Sequence, residues 1–493
     1  MLASKEARAA VSPLVQSLRP SPAVRAGRWM LGGAAASRVA GFLGLAVVAR
    51  LVDERLFGPY QQLVALHLAA QAVLSLGLDQ LLVREKGRRG SYARALRAGL
   101  VASWALIALA AVLLREPLAR ALALDAWDAR LLAWFPAVLA LQALKAAMRP
   151  LHAARLDFRR IALGELLNTL ALFGAAIPLC ATMPSAAMLY LSYALAESAE
   201  AAWLWRGPGV KSLRRLRPSA RSLALLLRRH RRFCAVITLD QGLNVSSNNA
   251  PALLLGGLLG PGAVGLHGMA SRMITAPVHL LLGAIGRVAL PALAGRPEEE
   301  LRHRVLLALR ASAAWLPPVL LWLAVFAPQV VLVVLGRDYE AAASLLPWLA
   351  LNLLLQGLFS PISVLDVLRD KPEVTLAWNA ACLLARCAAL AVAAPHGLVA
   401  AIAAWAVVSA AMWLVYGVAL AWLLGAGQRR FHAAWLRFAP LWALLAAALW
   451  ACAGVSDPWL ALVLSAAPLA IYLSLCAALD REGARLLWRF AAR

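Results

Sequence analysis

Apolar runs of about 20 residues, the length that crosses a bilayer at 1.5 Å per residue, recur along the whole chain, separated by short polar stretches. Fourteen can be marked: residues 29–51, 61–83, 98–114, 131–148, 161–181, 184–205, 233–258, 264–290, 305–335, 341–367, 374–394, 397–424, 438–453 and 458–479. None shows the short apolar–polar alternation of a transmembrane β-strand. The pattern predicts an all-α polytopic membrane protein with about 14 transmembrane helices. Runs nine and ten are long enough to tilt or kink. Pro317-Pro318 lies inside run nine and frees backbone groups that neighbouring helices must satisfy. Residues 1–28 form a basic, Pro-containing tail without a cleavage-site pattern, so the first run is expected to remain a helix.

Runs seven and eight carry the polar positions that lipid penalises most. They meet at Gly260-Pro261-Gly262. The first holds Asp240, Asn244, Asn248 and Asn249; the second holds His267, Arg272 and His279. An Arg or Asp at a helix centre costs roughly 2.5–3.5 kcal/mol on insertion scales. These groups are therefore expected to face protein or a cavity. Asp240, Asn244 and Asn248 are spaced i, i+4, i+8 and share one helix face. That face suits a sugar-contacting or ion-coupling wall, or hydrogen bonds between helices.

Composition agrees with the pattern: 62% of the chain is hydrophobic and 15% is charged. The net charge of +25 would suit a nucleic-acid partner, but its placement does not. Of 49 Lys and Arg residues, 39 fall on one side of the alternation and 5 on the other. Cytoplasmic loops collect Lys and Arg. Both termini are therefore expected in the cytoplasm, with the basic loops against the lipid headgroups. Loop 206–232, with ten basic residues and no acid, follows six runs and divides the chain. The expected organisation is a tail (1–28), a six-helix lobe (29–205), a basic linker (206–232), a second lobe (233–424), two extra helices (425–479) and a tail (480–493). No Walker A, DxD or HExxH motif occurs, and the six cysteines form no CxxC, so ATP hydrolysis in cis, metal sites and disulfides lack support.

The two halves repeat a turn. Leu56-Phe57-Gly58-Pro59-Tyr60 leads into run two, and Leu258-Leu259-Gly260-Pro261-Gly262 into run eight, with His67 and His267 following. Internal repeats of this kind are common in transporters.

Several stretches together resemble one family. They are Arg50-Leu51-Val52 through Phe57-Gly58-Pro59-Tyr60 to Leu76-Gly77-Leu78-Asp79, Pro150-Leu151 to Arg159, Gly260-Pro261 through Ala270-Ser271-Arg272 to Leu290-Pro291, and Gly336-Arg337-Asp338-Tyr339. In order and spacing they resemble the bacterial polysaccharide and O-antigen flippases of the multidrug/oligosaccharidyl-lipid/polysaccharide exporter superfamily. Ser271 and His267 stand where the family usually has aromatic residues. The resemblance implies two six-helix lobes in a V, with spans one, two, seven and eight lining a central cavity. It implies a secondary transporter, not an enzyme, that flips a lipid-linked oligosaccharide across the inner membrane by alternating access. The carrier is usually undecaprenyl diphosphate. No cofactor is implied; polysaccharide polymerase and export proteins are the implied protein partners. A drug/cation antiporter of the same superfamily and a membrane-embedded ligase or polymerase are the alternatives. The first would want few cavity arginines, and the second a large outer loop.

Arg38, Arg50 and Arg272 lie in the cavity-lining spans of that family. Arginine suits phosphate through its planar, permanently charged fork. For Arg38 and Arg272, phosphate binding stands beside pairing with Asp79 or Asp240; for Arg50, it stands beside snorkelling from the end of its span. Asn244, Asn248 and Asn249 complete the candidate substrate contacts, and Asp79 and Asp240 are candidates for ion coupling or pairing. Glu165, Glu197 and Glu200 could carry protons or pair, and Arg310 and Arg386 are expected to be structural.

Overall fold

The computed structural model describes residues 22–78, 81, 89–122, 128–153, 155, 157–207, 218–293, 297–360 and 372–480. Fourteen main helices follow the fourteen apolar runs: α1 Pro22–Val48, α2 Glu54–Leu74, α3 Arg89–Leu113, α4 Phe135–Ala153, α5 Phe158–Thr182, α6 Ala186–Trp205 and α7 Ala220–Leu259 in the first part. The rest are α8 Pro261–Leu293, α9 Glu298–Val325 continued by Ala327–Val334, α10 Leu346–Phe359 after a 3-10 stretch at Arg337–Leu345, α11 Pro372–Ala393, α12 Leu398–Leu423, α13 Ala439–Ala453, and α14 in two pieces, Pro458–Leu464 and Ala466–Leu479. Among the described residues no strand occurs, and eight helical stretches are long and apolar enough to cross a membrane. The expected polytopic all-α class is thus what the chain adopts.

The helix ends follow from local chemistry. Asp53 caps α2 by accepting from Leu56 N at 2.8 Å, and Ser219 caps α7 by accepting from Ser222 N at 3.1 Å. The second half of the expected linker 206–232 is therefore helical rather than loop. It joins the membrane part of α7 across a break at His230 (φ −118°, ψ 24°). Gly260 ends α7 with φ +86°, a conformation only glycine adopts without strain, and α8 starts at once with Pro261.

α1 to α6 and α7 to α12 form two sets joined by extensive contact: α2 packs more on α7 and α8 than on its own set, α3 packs on α7, and α1 packs on α8. Contact there is backbone-close. A Cβ on Gly265 would fall 1.8 Å from Glu54 O, and one on Gly58 would fall 2.0 Å from Pro261 O. Glycine alone permits that approach, as is common between membrane helices. The end of the molecule bearing the Gly260 turn is fastened further. Arg50 Nη1 donates to Val334 O (2.8 Å), its Nη2 donates to Val333 O (2.6 Å), and Tyr339 Oη donates to Val52 O (2.8 Å). At the opposite, basic end Arg232 meets Glu373 at 2.7 Å. There Glu373's own backbone amide, and then Arg232, hold its exposed carboxyl below the usual range.

α13 and α14 brace α9. Proline lacks an N–H, so Pro317 and Pro318 leave the carbonyls four residues earlier without a helical partner. Trp442 Nε1 of α13 donates to Ala313 O at 3.0 Å, and Tyr472 Oη of α14 donates to Ala314 O at 3.0 Å.

Candidate substrate cavity

A cavity of about 260 Å³ opens between α1, α5 and α8, and Arg38 and Arg272 both line it. α1 contributes Ser37, Arg38 and Gly41 on one helical face; α5 contributes Thr169 and Phe173; α8 contributes Arg272 and Thr275. Small residues let α1 and α5 close on each other. A Cβ on Gly44 would fall inside the Phe173 ring, 2.1 Å from Cγ. Ser37 Oγ and Thr169 Oγ1 lie 2.6 Å apart, and Thr169 also donates to Glu165 O at 3.1 Å. The wall thus offers hydroxyls beside the two guanidinium groups.

Arg272 is positioned by α2. Its Nη2 donates to Gln61 Oε1 at 2.9 Å, and its guanidinium carbon lies 5.1 Å from the Phe57 ring centroid and 5.5 Å from that of Tyr60. Phe57, Tyr60 and Gln61 stand at i, i+3 and i+4, one face of a helix. Gly268, one turn before Arg272, makes room for Gln61: a Cβ there would lie 2.9 Å from Gln61 Cγ. Every partner of Arg272 is neutral, so its charge remains available to an anion. Arg38 is exposed and has no hydrogen bond or ion pair among the described residues. No carboxylate among the described residues lines the cavity.

The other candidate positions lie elsewhere. Arg50 does not line the cavity; it stands 12 residues beyond Arg38, roughly 18 Å at the helical rise, where it caps the end of α9. Its guanidinium is spent on carbonyl oxygens, which argues against its role as a substrate contact. Asp240 does not pair with Arg272; it accepts from Asn379 Nδ2 of α11 at 2.8 Å. Asp79 lies outside the described residues, as does the side chain of His279. The polar face of α7 runs along α11 instead of lining the cavity. Asn248 donates to Asn244 Oδ1 at 2.9 Å and accepts from Arg386 Nη1 at 3.2 Å, and Asn249 donates to Val245 O at 2.8 Å within its own helix. Glu197 and Glu200 are buried against Lys145 at 2.6 and 2.9 Å; Arg149 also contacts Glu200 and lies 3.9 Å from Glu165. His67 is buried, bonded to Tyr190 Oη at 2.6 Å and stacked on Phe135.

Sequence inspection missed Gln61, Ser37 and Thr169. The i, i+3, i+4 spacing of Phe57, Tyr60 and Gln61 was the available signal, although nothing local to α2 says that a cation lies opposite.

Comparison with known proteins places this geometry in context. Residues 47–344 match the family model described as "Polysaccharide biosynthesis protein". A segment of 142 residues, 28% of this chain, is 25% identical to the amylovoran biosynthesis protein AmsL of Erwinia amylovora, and the match spans 37% of that relative's length. Among solved structures, the lipid II flippase MurJ in an inward closed conformation has a similar fold, with a TM-score of 0.71 at 12% identity over 90% of this chain and 97% of that one. An inward-facing multidrug resistance MATE family transporter of the MOP superfamily is similar with a TM-score of 0.55 at 16% identity, over 82% of this chain and 94% of that one.

Proposed function

This chain belongs to the polysaccharide biosynthesis protein family, and from that premise we propose that it flips a lipid-linked oligosaccharide across the bacterial inner membrane for surface polysaccharide assembly. The carrying observation is the α1–α5–α8 cavity, which holds two guanidinium groups, several hydroxyls and, among the described residues, no carboxylate. A sugar on a diphosphate carrier needs fixed positive charge for phosphate and hydrogen-bonding groups for hydroxyls. The cavity offers both. A cationic drug would meet two like charges there instead, which disfavours the antiporter alternative.

In this mechanism the substrate enters from the cytoplasmic, basic end. Arg38 takes a phosphate oxygen first, because nothing else engages it. The phosphate then displaces Gln61 from Arg272, exchanging a neutral hydrogen bond for a charge-assisted one. α1–α6 and α7–α12 act as the two moving lobes, with both termini in the cytoplasm. Release on the far side requires the Arg50 and Tyr339 contacts at the Gly260 end to open. The motion is alternating access driven by an ion gradient or the membrane potential, with Asp240 beside Asn379 as the candidate coupling group.

The test deletes the protein and extracts lipids from both membrane leaflets. Lipid-linked oligosaccharide trapped on the cytoplasmic leaflet, with surface glycan lost, is the expected result. Unchanged surface glycan together with new sensitivity to cationic dyes would overturn the proposal.

A further inference from the structure

Three neighbouring buried side chains in the second set of six helices each hold a nitrogen without a partner among the described residues, and none lines the cavity above. Arg386 of α11 is 3% exposed. Its Nη1 donates to Ser247 Oγ at 3.0 Å and to Asn248 Oδ1 at 3.2 Å, and its Nε has no partner. Trp405 of α12 lies under it, 5.7 Å from ring centroid to guanidinium carbon, with Nε1 unpartnered. His267 of α8 meets the Trp405 ring edge-on at 6.5 Å between centroids. Its Nε2 lies 3.1 Å from Ser271 Oγ, and its Nδ1 has no partner.

The chemistry of this set is one-sided. A guanidinium and an indole only donate, and an imidazole nitrogen donates in one tautomer. The site carries a permanent charge, and no carboxylate among the described residues pairs with Arg386. A buried charge without a counter-ion is strongly disfavoured, and buried donors are normally satisfied. The missing component is therefore an acceptor carrying negative charge. The other ionisable side chain against the guanidinium is the Cys382 thiol, one turn earlier in α11. Because Ser247 and Asn248 already occupy Nη1, few donors remain free, which suits a monatomic ion better than a tetrahedral oxyanion with four acceptor atoms.

We propose that the α8–α11–α12 core binds a small inorganic anion of halide size, held by the Arg386 guanidinium with the Trp405 and His267 ring nitrogens. The ion neutralises the charge at the α7–α11 seam and ties α8, α11 and α12 together. This role is independent of the transported substrate, so it stands or falls separately from the flipping proposal.

The experiment uses the purified full chain in neutral detergent. Thermal unfolding is followed in sodium bromide and in sodium gluconate at equal ionic strength. Wild type is expected to gain about 3 °C or more in bromide, with saturation. Asn248→Asp sets a carboxylate beside the guanidinium and is expected to abolish the bromide effect, as is Arg386→Gln. Cys382→Ser is expected to retain it. The proposal is overturned if wild type behaves alike in both salts. It is equally overturned if Asn248→Asp keeps the full response, which would mark a general salt effect, or if a response appears only in Cys382→Ser, which would make the thiolate the counter-ion.

Discussion

Arg272 is held by partners that carry no charge, and this decides how it can be tested. Gln61→Glu would turn its hydrogen bond into an ion pair, in competition with any phosphate. Glycan export is expected to fall at least ~10-fold, while the melting temperature of the purified protein stays level or rises; export that survives would deny Arg272 its phosphate role. Arg272→Lys is expected to lose nearly as much export as Arg272→Ala, because an ammonium reproduces neither the fork nor the stacking on Phe57 and Tyr60. The cavity-lining spans implied by the family resemblance, together with helix depth, singled out Arg38 and Arg272, and the structure brings both to one cavity. Arg50, for which the sequence leaves phosphate binding and snorkelling from the end of its span both open, caps α9. Two of its carbonyl acceptors lie 283 and 284 residues away in α9, beyond anything its neighbours in sequence could indicate. For the Asn244–Asn248 face the sequence leaves a cavity wall and hydrogen bonds between helices open, and choosing between them requires knowing the opposing helix. Arg386, expected to be merely structural, is the group that meets that face.

The double proline of α9 shows how one helix depends on two others. The sequence announces that two carbonyls need donors, but the donors arrive 129 and 158 residues later, from Trp442 and Tyr472. Trp442→Phe and Tyr472→Phe each keep the ring and remove the donor. Each is expected to destabilise the protein by ~1–3 kcal/mol, the usual consequence of an unsatisfied buried acceptor. Denaturant unfolding measures this, and the expected check is a cycle. Pro317→Ala restores the N–H facing Ala313 O, so adding Trp442→Phe to it should do less harm than Trp442→Phe alone; equal harm in both backgrounds would show that the indole serves packing only. Helix number and most helix ends were legible from hydropathy. The helical stretch from Ala220 to His230 was not, since a dense Arg run there reads first as a loop.

At the scale of the whole molecule, the fastening of the Gly260 end sets the resting state. Arg50→Ala combined with Tyr339→Phe removes the bonds from Arg50 to Val333 and Val334 and from Tyr339 to Val52. A spin-label pair spanning α1 and α9 at that end is expected to show a longer, broader distance distribution in the variant; an unchanged distribution would mean that the α2–α8 glycine contacts alone hold the end shut. The general architecture was readable because a bilayer leaves a chain few options, whereas the join between the two helix sets rests on glycines whose neighbours no local pattern reveals. The proline pair in α9 also sets a schedule for biosynthesis. The ribosome completes α9 well over a hundred residues before Tyr472 is translated. During that interval the nascent helix holds two bare carbonyls that hydrocarbon cannot solvate. Insertion of α9 can therefore be finished only after the last helices emerge, and a chain truncated after α12 would present membrane proteases with a helix that never matures.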